Sequence, residues 1–139
     1  MKINFINKVR FALSKEIKED LRNTVRKISV FESKRIYSVN LIFCDDVLIR
    51  EYNREFLGHD YETDIITFHD ENENGETEGE LLISIDTVSE NAEFYKIEFE
   101  TELKRVVIHG VLHLCGYKDK TYKQKELMIK KENLYLKTK

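Results

Sequence analysis

The sequence predicts an α/β or α+β domain in which a small mixed β-sheet packs against helices, and three observations carry that prediction. Short runs rich in β-branched and aromatic residues alternate with longer stretches of helical period. Helical stretches then cluster toward the C-terminus, which argues against a uniformly alternating fold. One of them, VVIHGVLHL (Val106 to Leu114), is too apolar for a surface and is expected at the centre of the domain. At 139 residues the chain fits one domain, residues 1–139, with a core that needs neither disulfides nor a structural metal.

INFI, from Ile3 to Ile6, reads as a short opening strand. Ser14 is a fitting N-cap for a helix to about Val30, in which Ile17, Leu21, Val25 and Ile28 recur at helical spacing. YSVNLIFC (Tyr37 to Cys44) has strand composition, and Asp45 and Asp46 supply a cap and first-turn acids for a helix through VLIREYNREF. Gly58 ends that helix. After the loop HDYET come a buried-looking strand, DIITF, an acidic loop, HDENENGETEG, and a third strong strand, ELLISI. A helix from Asp86 or Thr87 carries Val88, Ala92 and Tyr95, breaks near Ile97, and precedes a long helix from about Glu100 to Cys115. Thr121 and Gln124 match a capping box that opens a final helix through Met128, Leu134 and Leu136.

The composition, 41% hydrophobic and 35% charged, is that of a water-soluble globular chain, and no apolar run approaches the roughly 18 residues of a membrane helix. Charges interrupt the N-terminal apolar residues, so no secretory signal is expected and the expected location is the cytoplasm. Cys44 and Cys115 form no CxxC pair and read as buried small hydrophobes. A net charge of -3 argues against nonspecific coating of nucleic acid, yet the charge is segregated. Residues 1–36 hold ten Lys/Arg against four acids, residues 70–80 six acids and no base, and residues 118–139 eight Lys against three acids. Solvated faces account for this pattern; so does a basic surface for a polyanion.

The chemistry concentrates in HGVLHLCGYKD, from His109 to Asp119. Histidines four residues apart on a helix project on one side, one turn apart, and can share a cation. The pair alone is equally compatible with hydrogen-bonded core histidines. Gly116 can take the left-handed conformation that ends a helix and turns the chain back, which brings Asp119 toward the histidines as a third ligand. Two His and one carboxylate leave one zinc coordination position open. The alternative for Asp119 is a helix cap near Thr121. The spacing H-x3-H-x2-G-x2-D parallels the metzincin motif and predicts a zincin-like helical metal site near the C-terminus. Gly110, however, stands where those peptidases carry their glutamate base, which disfavours peptide hydrolysis.

The same stretch resembles the signature HGxLHLxGYDH of the YbeY family of metal-dependent endoribonucleases and rRNA maturation factors. Seven of its nine fixed positions match; Lys118 and Asp119 stand where the family has Asp and His. NREFLGHDYETDIITF (Asn53 to Phe68) is similar to the family's N-R-x-Y-R-x-K-D-x-x-T-D-V-L-S-F, and GELLIS (Gly79 to Ser84) to its G-D-I-x-I-S. Leu57 replaces the arginine of that first block. The resemblance implies that His109, His113 and Asp119 hold one Zn(2+) ion. A carboxylate in place of the third imidazole lowers Lewis acidity and admits other divalent metals.

Function follows from the resemblance as an expectation: a single-strand-specific, metal-dependent endoribonuclease in ribosome biogenesis, acting in 16S rRNA 3′-end processing with the ribosomal small subunit as partner. An RNA 2′-hydroxyl is an internal nucleophile, so a missing protein base matters less than in a peptidase. Asp64, His59 and His69 are candidate helpers. The C-terminal lysines with Arg10, Arg22, Arg26, Lys27, Lys34 and Arg35 are candidates for a basic track. Tyr52, Phe56, Tyr61 and Tyr117 suit base stacking, although core packing accounts for most such residues. Two other readings compete: a metallopeptidase-like hydrolase, and a noncatalytic ribosome-associated RNA-binding module in which Leu57 marks lost catalysis.

Overall fold

Alternation of buried and exposed residues builds a four-stranded sheet in the order β1-β2-β4-β3 in the computed structural model, which describes residues 1–137. The strands are β1 (Lys2–Asn7), β2 (Ile36–Cys44), β3 (Ile65–Glu71) and β4 (Thr77–Ser84). β1, β2 and β4 run parallel, and β3 pairs antiparallel with β4. The sheet is therefore mixed, as expected. Five helices surround it: α1 (Lys15–Phe31), α2 (Asp46–Leu57), α3 (Ile85–Tyr95), α4 (Phe99–Leu114) and α5 (Tyr122–Lys137).

The period of two sorts the sheet's side chains onto two faces. Val39, Leu41, Phe43, Leu81 and Ile83 join residues of α1 and α4 in the main core. Cys44, Ile66 and Leu82 point the other way and pack with Ile49 of α2. The caps anticipated from sequence are present: Ser14 Oγ accepts from Ile17 N at 3.2 Å and Asp45 Oδ1 from Leu48 N at 2.9 Å. Gly58 closes α2 with φ 70°. Thr121 and Gln124 exchange their capping-box hydrogen bonds at 3.0 and 3.1 Å.

One expectation fails. HDENENGETEG is not a loop throughout: β3 runs on to Glu71 and β4 begins at Thr77, with Asp70 opposite Glu78. β3 is an edge strand, so acidic side chains beyond its buried half face solvent without cost, and backbone pairing extends past the apolar pattern. Asn72 Oδ1 ties the turn by accepting from the backbone N–H groups of Asn74 and Glu76 at 2.9 and 3.0 Å.

α4 is central. It packs on α1, α3, α5, β3 and β4, and its residues Leu103, Val107, Ile108, Val111 and Leu112 are fully buried. Gly110 sets how closely it lies on the sheet, since a Cβ there would fall 2.7 Å from Ile65 Cδ1 and 3.0 Å from Leu81. Replacing Gly110→Ala forces the half-buried Ile65 and the buried Leu81 side chains aside and is expected to cost about 1–3 kcal/mol. Urea unfolding checks it: the midpoint falls without a change in slope, and an unchanged midpoint would show that the contact yields freely.

Candidate metal centre

His109 and His113 occupy successive turns of α4, and both are half-buried. Gly116, at φ 101°, turns the chain after the helix, and Tyr117 N donates to Leu112 O at 3.0 Å. This reversal returns Asp119. Its Oδ2 lies 3.1 Å from His109 Nε2 and 3.4 Å from His113 Nε2, while the two Nε2 atoms are 3.0 Å apart. Asp119 thus joins the histidines, and Thr121 rather than Asp119 caps α5.

Hydrogen bonding fixes which nitrogens face inward. His109 Nδ1 lies 2.6 Å from Glu132 Oε2, and His113 Nδ1 lies 2.8 Å from the Tyr117 carbonyl. Both partners are acceptors, so each Nδ1–H donates outward, and Nε2 is the nitrogen that each ring turns toward Asp119 and would offer to a cation. Three acceptors then converge on one point. Tetrahedral zinc at bond lengths near 2.0–2.1 Å places its ligand atoms about 3.3 Å apart, close to the spacings found here. The donor set therefore fits a single divalent ion. Among the described residues, His109, His113 and Asp119 form the one group of His, Cys, Asp or Glu side chains gathered closely enough for this.

The surrounding carboxylates were less legible in the sequence. Glu132 on α5, only 6% exposed, receives His109 on one oxygen and Arg105 on the other, at 3.4 Å. Its readable signal was position: Met128, Glu132 and Tyr135 are the buried stripe of a helix whose remaining faces are rich in lysine. Burial depresses the His109 pKa, but the Glu132 hydrogen bond and charge, with Asp119 and Asp64, outweigh it and hold the imidazole above its ordinary 6.5. Burial likewise raises the Asp64 carboxyl, with His109 opposing.

A groove of about 1110 Å³ runs past the site along β3, with Leu57, Asp64, His69, His113 and Asp119 among its lining. Of the candidate helpers, Asp64 comes beside His109 and His69 lies farther along the groove. His59 instead stacks on Tyr61, with ring centroids 5.3 Å apart, and is not part of the groove. Of the proposed basic track, Lys34, Lys118 and Lys120 reach the groove, whereas Arg10, Arg22, Arg26, Lys27 and Arg35 do not. Core packing does not account for Phe56, which is 60% exposed and forms an aromatic cluster with Tyr52 and Phe68. Tyr61 is exposed as well. Tyr117 donates its hydroxyl to Glu32 at 2.6 Å. Cys44 is buried, its thiol pushed up to about 12, and Cys115 is half-buried, at about 11. A Cβ at Gly110 would meet the side chains of Ile65 and Leu81 rather than open space.

Fold and site together define an α+β domain in which two histidines on one helix and a carboxylate returned by the following turn lie close enough to hold a metal ion. The family model described as Endoribonuclease YbeY matches residues 3–139, and the chain belongs to that family. The Endoribonuclease YbeY of Christiangramia forsetii is 47% identical over 131 residues, 94% of this chain and 89% of the relative. That of Cytophaga hutchinsonii is 46% identical over 117 residues, 84% and 82% of the two chains. A solution structure of a Thermotoga maritima protein superposes with TM-score 0.66 at 31% identity, covering 98% of this chain and 87% of the other.

The Glu132 contact is open to a direct check in metal-free protein. With its folded pKa raised, protonated His109 contributes stability that is fully present below the ordinary 6.5 and is lost as pH rises through the folded value. Glu132→Gln is expected to move the His109 titration, followed by NMR of the imidazole protons, to lower pH. An unmoved titration would remove Glu132 as the cause.

Proposed function

We propose that the chain is a metal-dependent endoribonuclease acting on single-stranded RNA, with rRNA maturation at the 16S 3′ end as its role and the ribosomal small subunit as its partner. The reading takes residues 1–139 as one catalytic domain, with His109, His113 and Asp119 as ligands of one zinc or other divalent ion. The convergence of Nε2, Nε2 and Oδ2 within 3.4 Å carries it, supported by relatives named as endoribonucleases. No helix among the described residues is long and apolar enough to cross a membrane.

A divalent ion held there supplies Lewis acidity toward a phosphodiester. The residues of the chain do the rest. Glu132 and the Tyr117 carbonyl keep both Nδ1 atoms protonated and both rings oriented, as outer partners of metal-binding histidines do. Lys34, Lys118 and Lys120 offer phosphate contacts along the groove, and Asp64 is the carboxyl best placed to hold or move a proton beside His109. The RNA brings its own 2′-hydroxyl. Peptide hydrolysis is disfavoured because Gly110 supplies no carboxylate where such a peptidase carries its base. Leu57 lines the groove without the cation found at the family's arginine position.

Metal-loaded protein is expected to cleave single-stranded rRNA fragments and leave casein intact; cleavage of casein alone would reverse the choice. His113→Ala and Asp119→Ala are each expected to lose stoichiometric metal by elemental analysis. Their RNA cleavage should fall more than about 100-fold, beyond the usual effect of an outer-shell partner. Undiminished cleavage by His113→Ala would point to a binding module and a contaminating nuclease. Asp64→Asn is expected to keep its metal while kcat falls by about 10²–10⁴. An unchanged kcat would rule Asp64 out of the proton transfer.

A further inference from the structure

A second cavity, of about 450 Å³, lies between α3, α4 and α5 and shares His109 and Asp64 with the groove. Its lining includes Glu102, a residue only 3% exposed. Glu102 Oε1 is buried without a hydrogen-bond partner. Arg105 Nε stands 3.5 Å away, an ion pair without hydrogen-bond geometry, and Arg105 is shared with Glu132. Burial and the neighbouring charges of Asp64 and Glu132 raise the Glu102 carboxyl, against Arg105. A buried carboxylate short of donors costs stability, a cost that a ligand supplying donors would offset.

The other walls narrow the choice of ligand. Tyr95, Ile97, Val106 and Ile129 line the cavity with apolar surface, and Tyr95 and Ile129 are exposed. Apolar walls suit a flat ring better than a hydrated ion. Nor, among the described residues, do Asp64, Glu102 and Glu132 gather closely enough to ligate a metal. The polar end is rich in acceptors, so the ring should carry donors. Guanine presents N1–H and its amino group side by side, a pair that matches a carboxylate. Uracil presents one N–H between two carbonyls, which carboxylates repel. Unpaired RNA bases are commonly recognised on this edge.

We propose that this cavity is a nucleobase pocket, in which Glu102, with the Asn91 amide nearby, takes the donor edge of an unpaired guanine from the RNA strand whose backbone lies in the groove. The pocket would give cleavage a base preference, with the chosen base seated behind His109. The inference rests on the RNA reading above and fails separately from it.

Two measurements decide it, both on the full chain loaded with metal. In the first, guanosine or uridine monophosphate is added while the methyl resonances of Ile97, Val106 and Ile129 are followed. The guanosine nucleotide is expected to shift these signals and the uridine nucleotide to leave them in place; equal responses, or none, overturn the pocket whether or not the protein cuts RNA. In the second, uridine oligonucleotides carry one guanosine or, at the same position, one inosine, which lacks the amino group. Cleavage is expected at a fixed offset from guanosine, with kcat/KM about tenfold above inosine, as for one lost base contact. Glu102→Gln should bring that ratio close to one. Ile129→Trp, a substitution at the exposed rim, should do the same by filling the cavity should the Glu102 variant not fold. RNA cut with no regard to base overturns the pocket and leaves the nuclease reading standing, whereas uncut RNA overturns the nuclease reading and leaves the resonances to judge the pocket.

Discussion

The close approach of α4 to β3 and β4 at Gly110 is the constraint on which the rest of the molecule depends. With no side chain at that point, the helix settles against Ile65 and Leu81, and its rotation about its own axis is set. Val107, Ile108, Val111 and Leu112 are then buried, while His109 and His113, on successive turns, are left only partly covered. A larger residue at position 110 would disturb both arrangements together, because core packing and ligand presentation belong to the same rigid element.

The charge around α4 follows from the chemistry of its histidines. A ring that offers Nε2 to a cation must give its Nδ1–H to an acceptor, and the buried Glu132 and the Tyr117 carbonyl meet that need at 2.6 and 2.8 Å. Glu132 in turn holds Arg105, which is shared with Glu102. Carboxylates from three separate segments, Glu132, Asp119 and Asp64, therefore gather around His109. Three lysines, Lys34, Lys118 and Lys120, border the groove beside this acidic cluster.

Much of this was legible in the chain. The helical caps at Ser14, Asp45 and Thr121 depend on side chains and backbone groups within a few residues of each other, so local pattern identifies them. The same holds for His109, His113 and Gly116, where helical geometry and one left-handed turn do the positioning. The end of β3 was not legible. Acidic residues at Asp70 and Glu71 read as loop, and only pairing with β4 makes them strand, because backbone hydrogen bonding on an edge tolerates any solvated side chain. The aromatic residues of α2 misled in the opposite sense: Phe56 looks like core and lies outside it.

By itself the sequence determined the mixed α+β architecture, the central apolar helix and the three side chains able to share an ion, since each rests on periodicity or on short-range geometry. Tertiary structure alone decided which other groups join them. Glu132 comes from α5, 23 residues beyond His109, and Glu102 and Asp64 meet at a cavity that exists only once α3, α4 and α5 have packed. The reason is physical. A ligand set within one helix and one turn is specified by local dihedral angles, whereas the tautomer, charge and enclosure of those ligands depend on surfaces that meet only when the whole core closes.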